Sequence, residues 1–227
     1  MNDHTVKAFD AEIVELRGLI SQMGGLAEAA IVKAIKALQR SDLALAQQVR
    51  DEDRVIDAIE AEVERLAIRI MALRAPMAID LREVVAALKI AGVVERIGDY
   101  AKNIAKRVPL IVSDTRIEPL SVLPAMARMA SGMVHDVLDA FAARDASAAI
   151  TVCESDTALD DFYDSIFRTL VTHMVENPKT ISQVAHLLFV AKNLERIGDH
   201  ATNVAEMVYF AATGQQMVER ERGSGLG

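Results

Sequence analysis

The sequence predicts an all-α protein built as two tandem, pseudo-symmetric three-helix bundles, and three observations carry that reading. First, the 227 residues are 52% hydrophobic but only 4% aromatic, with no Trp, so the apolar content is Ala, Val, Leu, Ile and Met, which suit helices better than strands. Second, Gly and Pro gather at a few places instead of recurring at the spacing of strand turns. Third, the chain repeats itself. At an offset of 100, residues 81–105 match 181–205 at 11 of 25 positions, five of them consecutive as Glu95-Arg96-Ile97-Gly98-Asp99 and Glu195-Arg196-Ile197-Gly198-Asp199. At an offset of 103, Val49-x-x-x-Asp53-x-x-x-Asp57 falls on Val152-x-x-x-Asp156-x-x-x-Asp160, Asp42 on Asp145 and Met23 on Met126. Such self-similarity marks a duplicated unit.

The first helix is read from Thr5 to Arg40, apolar at helical spacing through Phe9, Ile13, Leu16, Ile20 and Met23, with a possible kink at Gly24-Gly25. Ser41-Asp42 caps a second helix over Leu43–Leu73, and Pro76 marks a turn. The third helix spans Ile79–Arg107, and Val108–Pro119 breaks the period as a linker. The pattern then restarts over Leu120–Ala143, Ala146–Glu176 and Thr180–Thr213. This gives a first repeat at 1–110, a second at 119–213 and a polar, flexible tail at 214–227. Helices of this length span about 45 Å, so each bundle is elongated. Whether the bundles stay separate or share one six-helix core is open at this level.

A formal charge of −8 argues against nucleic-acid or anionic-membrane binding and favours cations or basic partner surfaces. The single cysteine, Cys153, cannot form an internal disulfide. With no basic-then-apolar leader and no apolar stretch of about 20 residues, the expectation is a cytoplasmic protein without membrane insertion.

At 100° per residue, Glu95, Asp99 and Asn103 lie four apart along one line of the third helix, and Glu195, Asp199 and Asn203 repeat the arrangement. The second helix of each repeat adds a four-spaced pair, Asp53 with Asp57 and Asp156 with Asp160. If the stripes face each other, the carboxylates either retain protons or recruit a cation. Oxygen-only donors suit hard ions such as iron, Mg²⁺ or Mn²⁺. The competing reading is a set of ion pairs with the adjacent Arg96 and Arg196. His200 is read as a surface histidine turned away from the stripe, and Met126, Met129 and Met133 as a helical stripe suited to core or groove. No phosphate loop, zincin motif or nucleophile–base pair is present, so no catalytic residue is assigned and a non-enzyme is expected.

Pro76-x-x-x-Asp80-Leu81-Arg82, the doubled Glu-Arg-Ile-Gly-Asp motif, and His4, Phe9, Asp10 and Met23-Gly24 in the first helix resemble the PhoU family, regulators of the phosphate-specific transport system of bacteria. The resemblance covers the chain up to about Thr213. It implies two pseudo-symmetric three-helix bundles, frequent homodimers, and a negative regulator of the phosphate-starvation response and of phosphate uptake. Such a regulator is a signalling adaptor whose partners are a sensor histidine kinase and the ATPase subunit of the phosphate ABC transporter. Some members carry iron or other metal clusters on their acidic motifs and others none. By that likeness Asp53, Asp57, Glu95, Asp99 and Asn103, and in the second repeat Asp156, Asp160, Glu195, Asp199 and Asn203, are the candidate metal ligands. Asp80 and Arg82 are candidates for a partner surface, absent from the second repeat, where Thr180, Ile181 and Ser182 stand. Two alternatives remain at this level: a metal-dependent hydrolase with carboxylate-bridged centres, and a purely structural helical adaptor without metal.

Overall fold

The computed structural model describes residues 2–111 and 121–217, with side chains from Ala8 onward. The His4 side chain, residues 112–119 of the expected linker and 218–227 of the expected tail lie outside them. Six helices account for nearly all of the described chain: α1 (Asn2–Arg40), α2 (Leu43–Arg74), α3 (Ile79–Ile111), α4 (Leu123–Ala143), α5 (Ala146–Glu176) and α6 (Ile181–Thr213), the last entered through a short 3₁₀ turn at Pro178–Thr180.

The duplication is visible in the turns. Ser41 and Arg144 both take left-handed backbone, each with φ 54°. The aspartate that follows then caps the next helix: Asp42 accepts from the Leu45 amide at 2.9 Å, and Asp145 from the Ser147 and Ala148 amides at 2.8 and 3.0 Å. These caps satisfy backbone donors that a helix start leaves unpaired, and they fix where α2 and α5 leave the preceding helix.

Within each repeat the three helices pack on one another, and α3 packs on α6 and α1 on α4 between the repeats. A single continuous apolar core results, running from Ile13 through Ile97 and Leu159 to Val208, so the bundles share their interior. Both inter-repeat pairs are antiparallel. Arg107, Tyr100 and Arg82 of α3 meet His186, His200 and Ala211 of α6 in reverse order. Along α1 and α4, Glu28 faces His135 while Gly24 faces Leu138. An antiparallel pairing of equivalent helices is what a pseudo-twofold axis produces.

Two expectations are revised. α1 is one continuous helix through Gly24-Gly25, without interruption. A Cβ on Gly24 would overlap Leu138 Cδ1, so this glycine lets α1 approach α4 instead of breaking the helix. α3 continues past Arg107 to Ile111 with Pro109 inside it. In a last turn the proline forfeits only one intrahelical bond, and burial of Val108 and Ile111 holds the turn on the core. Met126 and Met133 are fully packed and Met129 partly so, which places that stripe in the core.

Candidate functional site

The repeated Glu-Arg-Ile-Gly-Asp motif works as a packing unit. Ile97 and Ile197 are wholly buried. Gly98 and Gly198 let the neighbouring helix come close: a Cβ on Gly98 would stand 2.9 Å from Ile56 Cδ1, and one on Gly198 would overlap Leu159 Cδ2. That approach brings α2 against α3, and α5 against α6, at the level of the carboxylates. The same virtual Cβ atoms lie 3.6 Å from Asp53 Oδ1 and 3.2 Å from Asp156 Oδ1.

In the first repeat Asp53 is buried, Glu95 and Asp99 are half-buried, and Asp57 is exposed. Lys102, one turn beyond Asp99, closes the C-terminal end of the stripe. Its ammonium donates to Asp53 across the helix interface and lies 2.5 Å from Asp99 Oδ1. Glu60, one turn beyond Asp57, extends the stripe the other way and stands beside Gly92. Burial, with the charges of Asp99, Glu60, Asp57 and Asp53, pushes the Glu95 carboxyl up to about 7. Partial loss of solvent along the helix interface, with neighbouring carboxylates, also raises Asp57 and Glu60. The stripe thus carries more negative charge than Lys102 neutralises. Asn103 accepts from Lys106 at 3.2 Å along its own helix.

The second stripe uses the same backbone positions with a different counter-charge. Lys192, one turn before Glu195, lies 2.5 Å from Glu195 Oε1 and 5.2 Å above the Tyr163 ring. Glu195 Oε2 is buried without a hydrogen bond among the described residues. Burial, reinforced by Asp199 and Asp160, raises the Glu195 carboxyl against the opposing pull of Lys192. Asp156 is half-buried beside Gly198, and Asp160 is exposed. Asn203 pairs with His200 at 3.3 Å, again along its own helix.

Arg96 and Arg196 are exposed, and Arg96 acts on Glu60 through its charge. Lys102 pairs with Asp53 and Asp99, and Lys192 with Glu195. Arg196 lies 5.9 Å from the Tyr100 ring centre. His200 is not a free surface residue: it stacks on Tyr100 between α3 and α6, and burial with Arg96 and Arg196 nearby pulls its imidazole below its ordinary value. Arg82 turns toward the second repeat, its Nε 3.5 Å from the Ala211 carbonyl and its guanidinium against Gly214, which has φ 76°. Asp80 sits half-buried in the first turn of α3.

Sequence reasoning passed over Glu83. It is buried and binds Arg17 of α1 at 2.5 Å and Arg144 at the α4–α5 corner, tying the first repeat to the second. Its position, one turn before Ala86 on the buried line of α3, was the signal. Lys102 and Glu60 were also missed, although each continues a line already marked by acids.

The PhoU domain family model matches residues 20–108 and again 123–208. The chain belongs to the PhoU family. It is 56% identical to a phosphate-specific transport system accessory protein PhoU homolog of Zymomonas mobilis, over 98% of this chain and 94% of that protein. It is 46% identical to a homolog of the same name from Caulobacter vibrioides, over 97% and 96%. Among solved structures, PhoU from Pseudomonas aeruginosa superposes with a TM-score of 0.85 at 37% identity, covering 91% of this chain and all of that one. The regulatory protein PhoU from Streptococcus pneumoniae gives 0.86 at 28%, covering 92% and 99%.

For a PhoU protein the fit of a metal to the stripes is the question that the donors raise. Their chemistry suits a hard cation: oxygen only, in excess negative charge, at a glycine-lined approach of two helices. Their arrangement offers no ready coordination sphere. Among the described residues no three carboxylate, histidine or cysteine side chains stand close enough together to hold an ion. At the Asp53–Asp99 end the place between the two carboxylates is taken by Lys102.

Proposed function

We propose that this protein is a cytoplasmic negative regulator of the phosphate-starvation response and of phosphate uptake. In this reading it is a non-catalytic adaptor, working as a homodimer between the ATPase subunit of a phosphate ABC transporter and a sensor histidine kinase. The observation that carries the reading is similarity over nearly the whole chain, through both repeats, to proteins named as accessory to phosphate-specific transport. Two features accord with it. No described helix is long and apolar enough to cross a membrane, as befits a protein that meets its membrane partners from one side. The two carboxylate stripes flank the α3–α6 seam and give a net acidic chain a doubled surface for basic partner segments or cations.

Deletion of the gene in its own organism tests the proposal. Starvation-response reporters should switch on in phosphate-rich medium and phosphate uptake should rise. Reporters that stay repressed with unchanged uptake would overturn it.

A further inference from the structure

Among the differences between the two stripes, three set where the ammonium stands. Glu60, Gly92 and Lys102 of the first repeat stand where Tyr163, Lys192 and Thr202 stand in the second. In the first, the ammonium comes from one turn after Asp99 and joins Asp53 of α2 to Asp99 of α3. In the second, Thr202 is too short for that role and donates instead to the Asp199 main-chain carbonyl at 2.7 Å. The ammonium there comes from one turn before Glu195, held over the Tyr163 ring that replaces Glu60. Each repeat has kept one lysine in its stripe, but at opposite ends.

An ammonium hydrogen-bonded to carboxylates of two helices occupies both the volume and the charge that a metal ion would take there. A divalent ion within coordination distance of Asp53 and Asp99 would also stand within a few ångströms of Lys102, and the two cations repel. We propose that Lys102 is a tethered counter-ion that closes the Asp53–Asp99 end of the first stripe, so that a hard metal ion enters there only by expelling it. In the second stripe the corresponding counter-ion is Lys192, which pairs with Glu195 from within its own helix instead of joining two helices. The two repeats therefore differ in which end of the stripe a lysine closes. This inference concerns the purified protein and does not rest on the proposed role in phosphate regulation.

The test is Mn²⁺ binding to the full-length, chelator-stripped protein, read from the electron paramagnetic resonance of free Mn²⁺, with thermal melts alongside. Lys102→Gln should bind Mn²⁺ about tenfold more tightly than wild type, the equivalent of one lost charge-assisted hydrogen bond. Adding Asp53→Asn should abolish that gain, whereas the gain from Lys192→Gln should survive Asp53→Asn. Without metal, Lys102→Gln should melt below wild type and recover with Mn²⁺, while wild type shifts little. Lys102→Met serves equally if the glutamine variant does not fold. Lysine variants that bind Mn²⁺ no more tightly than wild type, or a gain indifferent to Asp53→Asn, would overturn the proposal.

Discussion

Tyr100 and His200 occupy equivalent positions in the two repeats, and their rings stack on each other, 5.3 Å between centroids at 21°. The Tyr100 hydroxyl lies 3.2 Å from His200 Nε2. The duplicated motif thus meets its own copy on the pseudo-twofold axis, with the two carboxylate stripes on either side. Tyr100→Phe removes only the hydroxyl contact and should cost about 1 kcal/mol. Tyr100→Ala also loses the stack and should cost about 2 kcal/mol, the partial exposure of the ring keeping this below the cost of a fully buried aromatic. Urea denaturation with an unchanged m-value measures both.

Gly24 and Gly25 are adjacent in sequence and opposite in consequence. A Cβ on Gly24 meets Leu138 Cδ1, a leucine packed in the shared core, whereas one on Gly25 meets nothing within 4 Å. Gly24→Ala should therefore destabilise by about 1–2 kcal/mol, overpacking outweighing the gain in helix propensity. Gly25→Ala should stabilise by up to about 1 kcal/mol. Equilibrium denaturation of the pair distinguishes a packing glycine from a flexible one.

Glu83 satisfies two guanidinium groups that come from different repeats. Glu83→Gln removes the charge both arginines face and should cost about 2–3 kcal/mol. Arg17→Leu leaves the carboxylate bound to Arg144 and should cost less, about 1 kcal/mol. Equal effects in denaturant would mean that the arginines are not sharing one buried acid.

The carboxyl of Glu95 titrates near 7 in the folded, metal-free protein, against 4.5 for an unperturbed group. Between those values the folded state holds a proton that the unfolded state has released, so this residue makes the fold less stable as pH rises across the window. Above pH 7 the penalty is constant. His200 acts in the opposite sense: pulled below its ordinary value, it costs stability as pH falls through and below about 6.5. Comparing wild type with Glu95→Gln cancels the histidine. The stability advantage of the variant should be smallest near pH 4.5 and largest above pH 7, as read by denaturation in chelator-containing buffer.

How much of this was legible in the sequence follows from the range of the interactions. The helices, the Asp42 cap and the alignment of acids along single faces depend on neighbours within a turn, and the six helices appear close to where periodicity placed them. The continuation of α3 through Pro109 does not, because burial of Val108 and Ile111 overrides a local breaker. Lys102 stands three residues after Asp99 and was visible as a neighbour, but its reach to Asp53 depends on how closely Gly98 lets α2 approach. The Tyr100–His200 contact was beyond reach altogether. Sequence equivalence says that the two positions match, and only the location of the pseudo-twofold axis says that they touch.

On the proposed function, the paired carboxylate stripes are the working surface of this PhoU protein. Complementation of a deletion strain with the Asp53→Asn, Asp99→Asn, Asp156→Asn, Asp199→Asn variant, shown by circular dichroism to be folded, tests it most directly. The starvation reporter is expected to stay on in phosphate-rich medium, as is expected without the gene. Repression equal to that given by the wild-type protein would contradict it.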